Sequence, residues 1–266
     1  SILDIPKNVN SFGWGVLSGD CNQLKEITVA SENTSFKVEN GLLMNMEGTV
    51  AVAYAFGRES EHLVVPETVK SLNQGALFKG NKRLKTIKVP TGVTLIGDDT
   101  FKGCTALEEV MLPDEIKNIK SYAFSSCISL QRVTIPASLN NFSDSIFSGC
   151  TAIKTVTVRQ NSPLEIEQSF FPSEVYAKAT LYVPKGRKTY FADAIGWKNF
   201  HKIEEVDMDG VEISTSPYEN IGDKQMVFGY YRSGKCLSAD DVSYGGPRAG
   251  INRRSEERRV GKECRS

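Results

Sequence analysis

The chain has 266 residues, 40% of them hydrophobic and 24% charged, with 32 basic side chains balanced by 32 acidic ones. That is long enough for a substantial core in one or two domains. Zero formal charge argues against a nucleic-acid binder or a polybasic membrane-surface protein, since both draw affinity from a basic face, and no apolar run is long enough to span a bilayer.

The chain opens at Ser1 without the charged-then-apolar pattern of a secretion signal, so the natural start is expected to have been removed by processing or truncation. Pro6 begins a divergent unit in which Ile5, Val9, Leu17, Cys21, Leu24, Ile27 and Val29 hold the apolar places. From 66 to 158 the same pattern becomes strict. Phe78, Phe101, Phe124 and Phe147 recur every 23 residues, as do Leu84, Leu107, Leu130 and Ile153, and Ile87, Val110, Val133 and Val156. The prolines Pro90, Pro113 and Pro136 keep the interval, and Pro66 opens a slightly longer copy.

Within one unit, Leu107 to Leu112 ends in alternation, with Val110 and Leu112 to one side and Glu109 and Met111 to the other. This predicts a short strand with one buried face. Pro113 stops it, having no amide proton for a continuing ladder. Ile116, Ile119 and Phe124 follow at irregular spacing and predict a second short strand or extended turn. No unit can bury both of its sides alone, but stacked copies can, which makes the expected fold a mainly β solenoid.

The segment Ile119-Lys-Ser-Tyr-Ala-Phe-Ser-Ser-Cys-Ile-Ser-Leu-Gln-Arg-Val-Thr-Ile-Pro136 resembles the unit of the BspA-like leucine-rich repeat family, a class of bacterial surface proteins. Residues 35–55, with Glu47-Gly48 as a turn between two alternating runs, resemble the family's inserted β-hairpin. Residues 179–206 resemble its closing unit, in which Trp197, Phe200, Tyr190 and Phe191 would cover the last apolar coil. The resemblance thus implies a leucine-rich repeat solenoid over 1–206.

Beyond Val206 the pattern stops. Residues 207–225 read as a polar linker, and Met226 to Tyr231 begins an alternation that predicts the first strand of a second domain, cut short within 226–253. Arg254 to Ser266 resembles the conceptual translation of a sequencing adapter and is set aside from fold reasoning.

Chemistry is sparse. Cys104, Cys127 and Cys150 form a column in which stacked coils bring neighbours within disulfide range, yet they read best as small buried hydrophobes. Cys21 extends that column at a distance. A linear ladder does not offer zinc a tetrahedral site. His62 and His201 have no partner constellation, and no nucleophile elbow, metalloprotease helix or phosphate loop is present. The carboxylate pairs Asp98-Asp99 and Glu108-Glu109 read as a solvated face. Neither a catalytic residue nor a cofactor or metal is expected.

What remains is the outward side of the strands. Glu26, Thr86, Glu109, Arg132 and Thr155 are expected in one column, with Thr28, Lys88, Met111, Thr134 and Thr157 beside it. Repeat solenoids bind through such extended faces. The family resemblance implies an extracellular or cell-surface, non-enzymatic module that binds a protein or host-matrix ligand in an adhesin-like manner, as a monomeric solenoid. Two alternatives are a spacer presenting a missing C-terminal domain and the accessory region of a truncated surface enzyme.

Overall fold

The computed structural model describes residues 1–208 except 14, 15, 18–20, 73, 74 and 144; beyond 208 it describes only the backbone of four short strands. The chain divides into two compact units, Ser1–Val206 and Asp207–Ser266.

The first unit opens with β1 (Ile2–Ile5) and β2 (Glu26–Val29), a parallel pair. An antiparallel meander follows: β3 (Phe36–Glu39), β4 (Leu42–Asn45) and β5 (Ala51–Tyr54). The repeats then supply β6 (His62–Val64), β7 (Thr86–Lys88), β8 (Leu95–Ile96), β9 (Glu109–Met111), β10 (Asn118–Ile119), β11 (Arg132–Ile135), β12 (Asn141–Phe142) and β13 (Thr155–Val158). The closing part comprises helix α1 (Ser173–Lys178), β14 (Thr180–Pro184), helix α2 (Lys188–Asp193) and β15 (Lys202–Val206). Strands β6, β7, β9, β11, β13, β14 and β15 lie side by side in one parallel sheet, while β8, β10 and β12 form a narrow one on another side of the coils. The irregular stretch after Pro90, Pro113 and Pro136 therefore does form the short second strand.

The 23-residue interval sets the register, because a coil of constant length returns each column to the same height. Thr86 pairs with Glu109, Glu109 with Arg132, and Arg132 with Thr155. Inside, Phe78, Phe101, Phe124, Phe147 and Phe171 stack with successive centroid separations of 5.4, 5.1, 5.5 and 5.1 Å and interplanar angles of 14° or less. Offset-stacked rings at this spacing add to the burial of their surface.

The same interval recurs in the backbone. Ala76, Asp99, Tyr122 and Ser145 all have φ between 55° and 58°. Four residues later, Gly80, Gly103 and Gly149 occupy the left-handed region that glycine tolerates, but Ser126 sits there at φ 61° with a β-carbon.

The cysteine ladder is reduced and buried. Cys104, Cys127 and Cys150 each donate a thiol hydrogen bond, at 3.0 Å, to the carbonyl of Phe78, Phe101 and Phe124 in the preceding coil. The neighbouring Cys127 thiol and burial both push the Cys150 thiol far up. The Cys104 thiol and burial push Cys127 up as well, so these two thiols stay protonated and the thiolate that disulfide exchange requires is suppressed there. One coil earlier the column holds Asn81, whose side-chain oxygen accepts from the amides of Arg83 and Leu84 at 2.9 and 2.8 Å. Asn33 does the same for Ser35 and Phe36 and also donates to Pro6 and Val9 carbonyls.

Two expectations change here. The insertion is a three-stranded meander, whose first turn is Asn40-Gly41, both residues at positive φ (51° and 76°) as a two-residue hairpin turn demands. Its second and third strands are buried on both sides: Leu42, Met44 and Tyr54 pack into the main core, and Leu43 and Ala53, with Ala55 just beyond, into a smaller N-terminal core with Ile5, Leu24, Ile27 and Phe36. In the cap, Trp197 is fully buried, donates to the Leu164 carbonyl at 2.7 Å and meets Phe191 edge to face, but Tyr190 is 55% exposed, its ring under the Arg187 guanidinium.

In the second unit, β16 (Tyr218–Ile221) pairs with β17 (Lys224–Val227), and β18 (Tyr231–Arg232) with β19 (Lys235–Cys236), both antiparallel. Strand β16 falls inside the stretch expected as linker. The adapter-like tail at 254–266 and most of 226–253 lie outside the described residues.

Candidate binding face

The seven-stranded sheet carries two parallel columns of residues between its inward-pointing apolar ones. The first runs His62, Thr86, Glu109, Arg132, Thr155, Thr180, Lys202, and the second Val64, Lys88, Met111, Thr134, Thr157, Tyr182, Glu204, as the strand registers dictate. The structure thus brings together eight of the ten residues singled out in the sequence. The other two, Glu26 and Thr28, lie elsewhere. They pair with Ile2 and Asp4 in the separate β1–β2 sheet, because the meander stands between that unit and the array. His62, Val64, Thr180, Tyr182, Lys202 and Glu204 complete the columns and were missed; His62 lies 24 residues before Thr86, and Thr180-Leu-Tyr-Val-Pro184 repeats the strand-then-proline pattern.

The face is not uniformly solvated. Thr86, Glu109 and Thr157 are 6%, 5% and 7% exposed, so the solvated reading of Glu109 does not hold. Arg132, one strand over, lays a guanidinium nitrogen 2.9 Å from the Glu109 carboxylate and covers it. His62 Nδ1 lies 2.8 Å from the Thr86 hydroxyl. At the start of the strands Lys85 meets Glu61 at 2.6 Å, and the Lys85 ammonium holds the Glu61 carboxyl below its usual range. Lys154 donates to Gln131 at 2.9 Å, and Lys202 meets Glu204 at 2.6 Å. Exposed pairs of this kind contribute little stability each but fix the pattern of charge across the face.

Asp98 and Asp99 sit on the turns, away from this sheet. Partial burial opposes ionisation of Asp99, but ammonium groups of Lys79 at 2.7 Å and Lys102 at 3.3 Å outweigh it and hold the carboxyl low. Among the described residues, no cluster of His, Cys, Asp or Glu has the grouping of a metal site, and no helix is long and apolar enough to cross a membrane. The hollow between Val110, Phe124, Leu130 and Phe147 has a volume of about 10 Å³, little more than a water molecule needs. The chemistry on display is that of an open surface.

Coils of constant length, a continuous parallel sheet and an internal phenylalanine column define a leucine-rich repeat solenoid. Residues 52–178 match the BspA type leucine rich repeat region in six copies, and this part of the chain is such a region. Solved structures of similar fold include the pneumococcal vaccine antigen PcpA, with 22% identity, a TM-score of 0.62, and coverage of 77% of this chain and 56% of that one. A leucine-rich repeat protein from Eubacterium ventriosum is 28% identical with a TM-score of 0.56, covering 68% and 48% of the two chains. A leucine rich cell surface protein from Faecalibacterium prausnitzii is 21% identical with a TM-score of 0.55, covering 77% and 47%. The chain spans about half the length of these structures. No curated protein sequence matches it significantly.

Proposed function

We propose that the chain is a non-catalytic recognition module of a cell-surface or secreted bacterial protein, acting as a monomeric solenoid that binds a host or matrix protein through the outer face of its seven-stranded sheet. The observation that carries this reading is the contrast within each strand. Inward positions repeat as Ile, Val or Leu, while outward positions change from coil to coil through His, Val, Thr, Glu, Arg, Lys, Met and Tyr. A scaffold needs the first and is indifferent to the second, whereas a binding face uses the second for specificity. The surface location draws support from the BspA type match and the cell-surface protein of like fold.

The test is binding of the whole chain to immobilised extracellular-matrix proteins, with the exchange variant Glu109→Arg/Arg132→Glu. The exchange keeps an ion pair across β9 and β11 but inverts its polarity, so the fold survives while the charge pattern does not. A tenfold or greater weakening supports the strand face. Undiminished binding by the folded variant points away from it, and no binding by the parent chain favours a spacer role.

A further inference from the structure

One turn of the array departs from the repeat. The run Lys79-Gly-Asn-Lys82-Arg83-Leu-Lys85 places four bases in seven residues with no acid among them. Asn81 and Leu84 are buried and serve the coil, whereas Lys82 and Arg83 are exposed. At their two positions the next three coils carry Thr105 and Ala106, Ile128 and Ser129, and Thr151 and Ala152. The solenoid therefore needs a base at neither place.

The fold pins this turn and adds a fifth base to it. The Asn81 side chain accepts from the Arg83 and Leu84 amides, while Asn22 donates to the Gly80 carbonyl at 3.1 Å and accepts from the Lys82 amide at 3.0 Å. The basic side chains thus project from a backbone held by four side-chain bonds. One coil on, Lys102 meets Asp99 at 3.3 Å and Lys79 meets it at 2.7 Å, so two ammonium groups share one carboxylate. Lys85 is held by Glu61 at 2.6 Å, and Glu108 of the next coil lies within its electrostatic reach. Among the described residues, Lys82 and Arg83 have no ion-pair partner. This edge keeps an excess of positive charge although the chain as a whole is balanced.

We propose that the turn edge formed by Lys79, Lys82, Arg83, Lys85 and Lys102 is a binding site for sulfated polysaccharides of the glycosaminoglycan type. Crowded like charges repel one another in the free protein, and a polyanion relieves that repulsion. Lys82 and Arg83 have no internal ion pair to give up, and the planar fork of Arg83 matches two oxygens of one oxyanion while lysines act as point charges. A sulfate stays ionised at every physiological pH, and a linear polymer presents such groups repeatedly. One chain can therefore run from Lys82 and Arg83 to Lys102 on the neighbouring coil, about 4.8 Å away. An acidic protein segment would need an apolar anchor beside its charges; the hollow against Ala76 and Leu77 has a volume of about 10 Å³, too small for a side chain. Lys82 and Arg83 belong to the turns that precede the strands, so this site is separate from the outer sheet face and does not depend on what that face binds.

The experiment measures binding of the whole chain to immobilised heparin by surface plasmon resonance over a series of salt concentrations. Lys82→Gln/Arg83→Gln removes two exposed charges and no internal ion pair. It is expected to weaken binding about tenfold or more and to make the slope of log K against log salt shallower by about two. Lys178→Gln/Lys198→Gln removes the same charge from exposed positions in the cap and should leave binding unchanged, as should Glu109→Arg/Arg132→Glu on the sheet. Chemically desulfated heparin should compete poorly. Absence of heparin binding overturns the proposal. So does an equal loss in both glutamine variants, which makes the attraction a matter of overall charge, and so does loss confined to the sheet exchange. Desulfated heparin or polyglutamate competing as well as heparin also overturns it, the second by assigning the edge to acidic protein.

Discussion

The N-terminal unit and the repeat array share a turn but not a sheet. Leu24 donates to the Cys21 carbonyl at 3.0 Å just as Leu107 and Leu130 donate to Cys104 and Cys127 at 3.1 Å. From this common turn β1 and β2 make an isolated pair over a core of seven buried side chains, whereas the array makes seven strands over a continuous one. The difference is the meander, whose strands β4 and β5 are apolar on both sides and stand between the two cores. A repeat grammar therefore specifies the local coil, and only an uninterrupted coil length makes coils add up to one surface.

The largest test of that contrast is loss of an aromatic ring from each core. Phe101 lies between two stacked rings and is fully buried, so Phe101→Ala is expected to destabilise by about 3–5 kcal/mol. Phe36, with one edge-to-face neighbour at 5.5 Å, should cost less when replaced by Ala, about 2–3 kcal/mol. Urea denaturation of both variants decides the order, and equal losses would break the comparison.

The boundary itself should respond to alkali. Burial pushes the Tyr54 phenol up to about 12, opposed by the nearby Arg58. Its folded value lies above the unfolded one, so its contribution is constant below about pH 10 and falls by about 2–3 kcal/mol as pH rises from 10 to 12, where only the unfolded chain ionises. Tyr54→Phe should flatten that part of the stability profile measured by denaturation.

A steric change at the same boundary should act next. A β-carbon on Gly57 would lie 2.8–2.9 Å from the Gln23 and Leu24 backbone, where the Gly57 amide also bonds to Leu24. Gly57→Ala is expected to cost about 1–3 kcal/mol. Hydrogen exchange should rise in β1 and β2 and remain unchanged in β9 to β13. The smallest effect is a gain: Ser126→Gly places glycine where the repeat already has it in neighbouring coils, and should raise stability by about 1 kcal/mol, read as a higher Tm.

Much of the face was legible because register in a constant-length coil is arithmetic. Thr86, Glu109, Arg132 and Thr155 had to align once their strands stacked. Glu26 and Thr28 were misplaced because spacing says nothing about what is inserted between two copies of a unit. Glu109 was misread because its burial depends on a side chain 23 residues away.

The sequence by itself determined the solenoid, its 23-residue pitch, the phenylalanine and cysteine columns and the closing aromatic cluster, because these follow from periodicity and from the need to bury an apolar end. Tertiary structure alone decided that there are two cores, that the thiols are bound to carbonyls of the coil before, and that Arg132 covers a buried Glu109 on the outer face. Those outcomes depend on contacts between coils, and side chains distant in sequence meet there only after the coils have stacked.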